Sequence, residues 1–156
     1  MLILTMRTEK PEAELGLYLN DKKIDYMTWL AHRELSDTIH INIAKLLKRN
    51  KYDFDNIGGL IIYKGPGSFT GLRIGYSVAN ALAYSLSCPI VDTNEDDWIK
   101  QGLKLIKNNQ SSKQVFPFYG AEVHISEPKK WFVIFDCQSI KAYSYRQNSR
   151  LKLLRP

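Results

Sequence analysis

The most constraining stretch of this 156-residue sequence lies in its middle, where the apolar run Leu60-Ile61-Ile62-Tyr63 has Gly58-Gly59 before it and Gly65-Pro66-Gly67 behind. A strand with one wet face alternates polar and apolar residues, so a short unbroken run suits a strand covered on both faces. Beyond the bend the period changes. From about Thr70 to Ser87 two apolar strips recur every four residues: Gly71, Gly75, Ala79 and Ala83 form one, and Ile74, Val78, Leu82 and Leu86 the other. This spacing predicts a helix whose bulky strip suits the sheet and whose smooth strip lets another helix backbone approach closely. That second helix belongs either to this chain or to a partner. Each glycine costs a helix up to ~1 kcal/mol against alanine, so a packing reason for the strip is expected.

The flanking sequence places this strand and helix in a mixed sheet. Residues 2–6, 13–19 and 24–30 read as three strands, the last two joined through Asn20-Asp21. Ile39, Ile43, Leu46 and Leu47 recur at helical spacing within Ser36–Arg49, with Ser36 or Asp37 to cap the start and Lys48-Arg49 suited to the dipole at the end. Pro89–Val91 reads as a further buried strand. Glu95–Lys107 reads as a third helix, with Trp98, Leu103, Leu105 and Ile106 as its apolar residues. Three strands followed by helix, strand, helix, strand, helix imply an α/β fold, a mixed five-stranded sheet flanked by helices. A polar stretch, Asn108–Gln114, and an irregular one, Pro117–Pro128, read as a connector. Residues 131–136 and 141–146 then read as a β-hairpin, so the expected domains are 1–107 and 108–156.

The chemistry-bearing motifs of common enzymes are absent from the bend. A phosphate-binding P-loop needs Lys and then Ser or Thr where Leu72-Arg73 follow Gly71. A dinucleotide fingerprint needs a glycine at Thr70, and a nucleophile elbow around Ser68 needs glycines at Pro66 and Thr70. Locally the segment is a strand-to-helix hinge, with Ser68 or Thr70 placed to cap the helix, and such an end is also suited to an anion. His32, His40 and His124 share no metal-ligand spacing with one another or with Cys88 and Cys137, so no metal site is expected and both cysteines read as structural. Glu95-Asp96-Asp97 sits where a helix start favours negative charge.

Bulk composition bounds the rest. A 44% hydrophobic and 24% charged chain is that of a folded globular protein, and the absence of a long apolar run or a signal-peptide core leads to a cytoplasmic expectation. The net charge of +6 favours contact with an acidic partner such as RNA, with a modest concentration in Lys129, Lys130, Lys141, Arg146, Arg150, Lys152 and Arg155.

The ungapped segment Gly65-Pro66-Gly67-Ser68-Phe69-Thr70-Gly71-Leu72-Arg73-Ile74-Gly75 resembles the signature of the TsaB (YeaZ) family of bacterial tRNA threonylcarbamoyladenosine (t6A) biosynthesis proteins. The likeness extends to about residue 107. Residues 131–145 also look like the hairpin that opens the family's second lobe, through Asp136 and Tyr143. The resemblance implies an actin-like (ribonuclease H-like, ASKHA) lobe and a truncated second-lobe remnant. It also implies a non-catalytic role beside the catalytic subunit TsaD, in a complex with the ATPase TsaE that modifies adenosine 37 of tRNA. Contact with tRNA would be indirect, a homodimer is a further implied partner, and no cofactor is expected on this chain alone. By motif, the partner-binding residues would be Ile39, Ile43, Leu46 and Leu47 on the first helix, with Gly71, Gly75, Ala79 and Ala83 on the second.

Two departures accompany the resemblance. Actin-like ATPases carry an Asp at the end of the first strand that helps to hold metal and phosphates, and Arg7 stands at that position here; a cation cannot ligate Mg²⁺. The sequence also stops where most of a second lobe would follow, which reads as a reduced form. Two other readings use the same residues: a small-molecule kinase or ATPase of the actin-like superfamily, and a basic RNA-binding module.

Overall fold

Three antiparallel strands open the chain: β1 (Leu2–Arg7), β2 (Glu12–Leu19) and β3 (Lys22–Leu30). The helix α1 (Leu35–Arg49) leads into β4 (Ile57–Tyr63), which lies parallel to β1. Then α2 (Phe69–Leu86) crosses to β5 (Ile90–Thr93), parallel to β4, and α3 (Trp98–Lys107) follows. The strand order β3-β2-β1-β4-β5 is the expected mixed five-stranded sheet. In this computed structural model residues 1–94 and 96–120 are described in full, with the strand backbones of residues 131–136, 141–146 and 152–153.

The unbroken apolar run is explained by where β4 sits. Leu60 and Ile62 enter the cluster beneath α1 and α2, while Ile61 enters the opposite cluster beneath α3. Gly58 and Gly59 lie inside the strand rather than before it. A Cβ on Gly58 would come within 2.6 Å of Met1 Cγ, and one on Gly59 within 3.2 Å of Ile106 Cδ1, so neighbouring side chains fill the space above them. β1 divides in the same way, with Leu2, Leu4 and Met6 towards α1 and α2 and Ile3 towards α3.

The two strips of α2 are reversed relative to the expectation. Gly71, Gly75, Ala79 and Ala83 are the buried strip, and Ile74, Val78, Leu82 and Leu86 lie half-buried at the margin of the α1–α2 cluster. The cause is steric. A Cβ on Gly71 would overlap the Thr8 carbonyl oxygen, and one on Gly75 would overlap Thr8 Oγ1, so α2 lies directly on the β1–β2 turn. On α1, Ile39, Ile43, Leu46 and Leu47 face the core, with Ile39, Ile43 and Leu46 at 0% exposure. α3 begins at Trp98, later than the expected Glu95, and residue 95 itself lies outside the described residues.

The compact units are Met1–Ala121 and Glu122–Pro156. The expected boundary after Lys107 is therefore displaced, because residues 108–120 pack on the first unit. Ser112 bridges to Ile90, the Val115 backbone pairs with Asn80, and Phe118 N–H donates to the Lys64 carbonyl at 2.9 Å. In the second unit, the two strands of the expected hairpin, β6 (Trp131–Asp136) and β7 (Lys141–Arg146), pair antiparallel and are joined by an additional short strand, β8 (Lys152–Leu153). Among the described residues, no helix is long and apolar enough to cross a membrane.

Candidate functional site

The signature segment forms a joint between three parts of the first unit. Lys64 N–H donates to the Thr93 carbonyl at 2.7 Å, tying the end of β4 to β5, and Ser68 N–H donates to the Glu9 carbonyl at 2.9 Å, tying the bend to the β1–β2 turn. Gly65 has φ 106°, a left-handed conformation, with the Phe118 carbonyl oxygen where a side chain would begin. The Gly65-Pro66 bond is cis. Gly67 rests against the Glu9 side chain, which leaves no room for a Cβ. Ser68 Oγ then accepts from Gly71 N–H at 3.2 Å, the expected cap of α2. Leu72 anchors the first turn in the core, whereas Phe69, Thr70 and Arg73 face solvent. Ser68 Oγ thus serves the cap as an acceptor.

Beside this joint lies a cavity of about 360 Å³, lined in part by Thr8, Lys10, His32, Arg33, Ser68 and Thr70. Its charged groups are cationic. Among the described residues there is no group of three or more His, Cys, Asp or Glu side chains able to hold a metal ion. His124, Cys137 and the basic C-terminal side chains lie outside the described residues.

The end of β1, on the α3 side of the sheet, carries a charged network centred on Arg7. Its Nε donates to Glu9 Oε1 at 2.7 Å and lies 4.0 Å from Glu14 Oε1, and the guanidinium sits 4.2 Å from the Tyr63 ring centroid. Glu14 also accepts from the Tyr26 hydroxyl, and Tyr63 packs edge-on against Trp98. Burial works against the Arg7 charge, yet the hydrogen bond and charge of Glu9, with Glu14 and Tyr63, hold its pKa above the ordinary arginine value. Burial, then Glu14, likewise raises Tyr26. The Glu9 side chain is 3% exposed and its second oxygen has no partner. The residues at this position therefore do not fit a Mg²⁺–phosphate site: a guanidinium already stands among the carboxylates that a metal would use.

The residues expected to bind a partner have a different position from the one assigned to them. Both sets, on α1 and α2, are core residues of this chain, so they shape the helix pair from within. Apolar side chains that remain accessible nearby include Leu30 and Ile41, 76% and 46% exposed, Tyr84 and Phe69 on α2, and the half-buried strip Ile74, Val78 and Leu82. Sequence reading also missed the strap formed by residues 114–120. Asn80 donates from Nδ2 to the Val115 carbonyl and accepts at Oδ1 from Val115 N–H, both at 3.0 Å. The available signal was a lone amide on an apolar helix, together with the aromatic-rich Val115-Phe116-Pro117-Phe118-Tyr119 in a stretch taken for a connector.

Known proteins resemble this chain along the same span. The family profile for tRNA N6-adenosine threonylcarbamoyltransferase (TsaD) matches residues 29–119. The TsaB protein of Bacillus subtilis (strain 168) is 32% identical over 91 residues, 58% of this chain and 39% of that protein. Its Escherichia coli (strain K12) counterpart is 29% identical over 102 residues, covering 65% and 44%. The transferase of Geotalea daltonii is 37% identical over 65 residues, covering 42% and 19%. The chain thus spans less than half the length of these relatives. The structure of YeaZ from Pseudomonas aeruginosa superposes with a TM-score of 0.57 at 16% identity, covering 99% of this chain and 65% of that one, which establishes a shared fold.

Proposed function

Because the chain belongs to the TsaB/YeaZ family, within the span of the threonylcarbamoyltransferase profile, we propose that it acts in tRNA threonylcarbamoyladenosine biosynthesis as a subunit that performs no chemistry itself and supports a TsaD-type catalytic subunit. The observation carrying this reading is the pair α1 and α2 on one face of the sheet. Their inward faces are closed by this chain, and an accessible apolar margin remains in Ile74, Val78 and Leu82, with Ile41 on α1. A helical surface of a sister lobe is the chemistry such a margin accepts, by ridge-and-groove packing. The non-catalytic part of the reading is supported by Arg7, whose guanidinium pairs with Glu9 and Glu14 at the strand end where metal chemistry would need a free carboxylate. A TsaE-type ATPase and tRNA would be reached through the complex, and this chain would bind no cofactor alone.

Co-purification with the cognate TsaD-type subunit tests the pairing. Val78→Asp and Leu82→Asp put charges on the accessible margin and are expected to abolish capture while circular dichroism stays unchanged. Undiminished capture by both folded variants would place the contact elsewhere. Steady ATP hydrolysis or threonylcarbamoyl transfer by the purified chain would overturn the non-catalytic assignment.

A further inference from the structure

The cavity of about 360 Å³ beside the signature joint is framed by three segments that the backbone ties together. The Pro11 carbonyl accepts from Ala31 N–H at 2.9 Å and from His32 N–H at 3.1 Å, which fixes the β1–β2 turn against the approach to α1. The bond from Ser68 N–H to the Glu9 carbonyl fixes the same turn against the start of α2. Lys10, His32 and Arg33 line the cavity, and all three are exposed. None of them joins an ion pair among the described residues, and no carboxylate lines the cavity. The N-terminal end of α2 adds a partial positive charge of the same sign. Thr8 forms part of the wall at 2% exposure, and its buried hydroxyl has no hydrogen-bond partner.

Uncompensated cations in a fixed frame suit an anion, and the rest of the lining selects its kind. No Phe, Tyr or Trp lines the cavity, so an unpaired base finds no ring to stack on. Pro11, Ala31, Leu35 and Ile74 make part of the wall apolar, and Ile74 also begins the accessible margin that continues through Val78 and Leu82. A polypeptide lying on that margin therefore reaches the cavity. The side chain that offers an aliphatic stem to the apolar wall and a charge to Arg33 and Lys10 is Glu or Asp. We propose that this cavity is the socket for an acidic side chain of the partner subunit that covers the α1–α2 margin, with its carboxylate bonded to Arg33 and Lys10. The socket rests on the pairing with a TsaD-type subunit proposed above and fixes the partner's register on that margin.

The test is the affinity of the full chain for the purified cognate TsaD-type subunit, measured by titration calorimetry at several salt concentrations. Arg33→Glu and Lys10→Glu should each weaken binding by about tenfold or more and flatten its salt dependence, whereas Arg33→Lys should keep most of the affinity. Lys104→Glu makes the same charge change at an exposed position of α3 and should bind like the parent. Changing one acidic residue of the partner to Lys should restore binding to Arg33→Glu. All the changed positions of this chain are exposed, and circular dichroism checks that each variant folds. Undiminished affinity in Arg33→Glu and Lys10→Glu, with binding still lost in Val78→Asp, would overturn the socket and leave the pairing standing; no binding by the parent chain would overturn both. An equal loss in Lys104→Glu would assign the effect to net charge and overturn the socket. Saturable binding of inorganic phosphate to the chain alone, lost in Arg33→Glu, would mark the cavity as a small-anion site and overturn it likewise.

Discussion

Gly75→Ala distinguishes the two ways in which α2 can lie on the sheet. If Gly75 faced outward, the added methyl would meet nothing of this chain, and the change would stabilise the helix by up to ~1 kcal/mol through backbone propensity. In the structure the new Cβ would lie 3.1 Å from both Cβ and Cγ2 of Thr8, and closer still to Thr8 Oγ1. Thr8 has little freedom to retreat, being 2% exposed with its carbonyl already against Gly71. Overpacking of this kind costs roughly 1–3 kcal/mol, so after the propensity gain the expected result is a net loss of about 1 kcal/mol. Urea unfolding of the full chain followed by circular dichroism measures it. Thr8→Ala removes the obstructing methyl and a buried hydroxyl that has no hydrogen-bond partner. In that background Gly75→Ala should become neutral or stabilising, a coupling of roughly 1 kcal/mol or more between the two positions. Stabilisation by the single Gly75→Ala change, or additivity of the two substitutions, would refute the inward placement.

The charged contacts supply two further predictions. Arg7→Met leaves the buried Glu9 carboxylate without its cation and should cost on the order of 3 kcal/mol, with Arg7→Met/Glu9→Gln recovering a large part of it in thermal unfolding; an Arg7→Met protein as stable as the parent would remove the network from any structural role. Asp25 accepts from Arg49 Nε and Nη2 at 2.5 and 2.6 Å and from Asn50 at 2.6 Å; chiefly Arg49, against the opposing effect of burial, lowers its carboxyl from 3.8 to about 2. Its contribution is therefore present above about pH 4 and lost as the pH falls towards 2. Because the pair is partly exposed, Asp25→Asn should cost only about 0.5–1 kcal/mol at pH 7 and should flatten the acid limb of stability in that window; an unchanged limb would count against the pair.

Much of the fold was legible because it rests on local periodicity. The unbroken run at Leu60–Tyr63 implied a strand covered on both faces, and β4 carries Ile61 into one cluster and Leu60 and Ile62 into the other. The cap on α2 was legible too, since Ser68 and Gly71 are three residues apart and need only each other. The candidate site was legible as a motif and less so as a surface. Ile39, Ile43, Leu46 and Leu47 were correctly seen as one helix face, but a hydrophobic face does not reveal whether it meets the chain's own sheet or another protein.

What the sequence by itself determined was the set of strands and helices in the first unit, their order and the two strips of α2, because periods of two and of about 3.6 residues are written into consecutive side chains. Which strip faces inward was decided only by the tertiary structure. Both are apolar, so hydrophobicity could not choose between them; Thr8, sixty-odd positions away in the chain, sets its carbonyl against Gly71 and its side chain against Gly75, and so brings the smooth strip inward. The strap was decided in the same way. Its pairing joins Asn80 to Val115 across 35 residues, a contact that exists only once both segments are brought to the same side of α2.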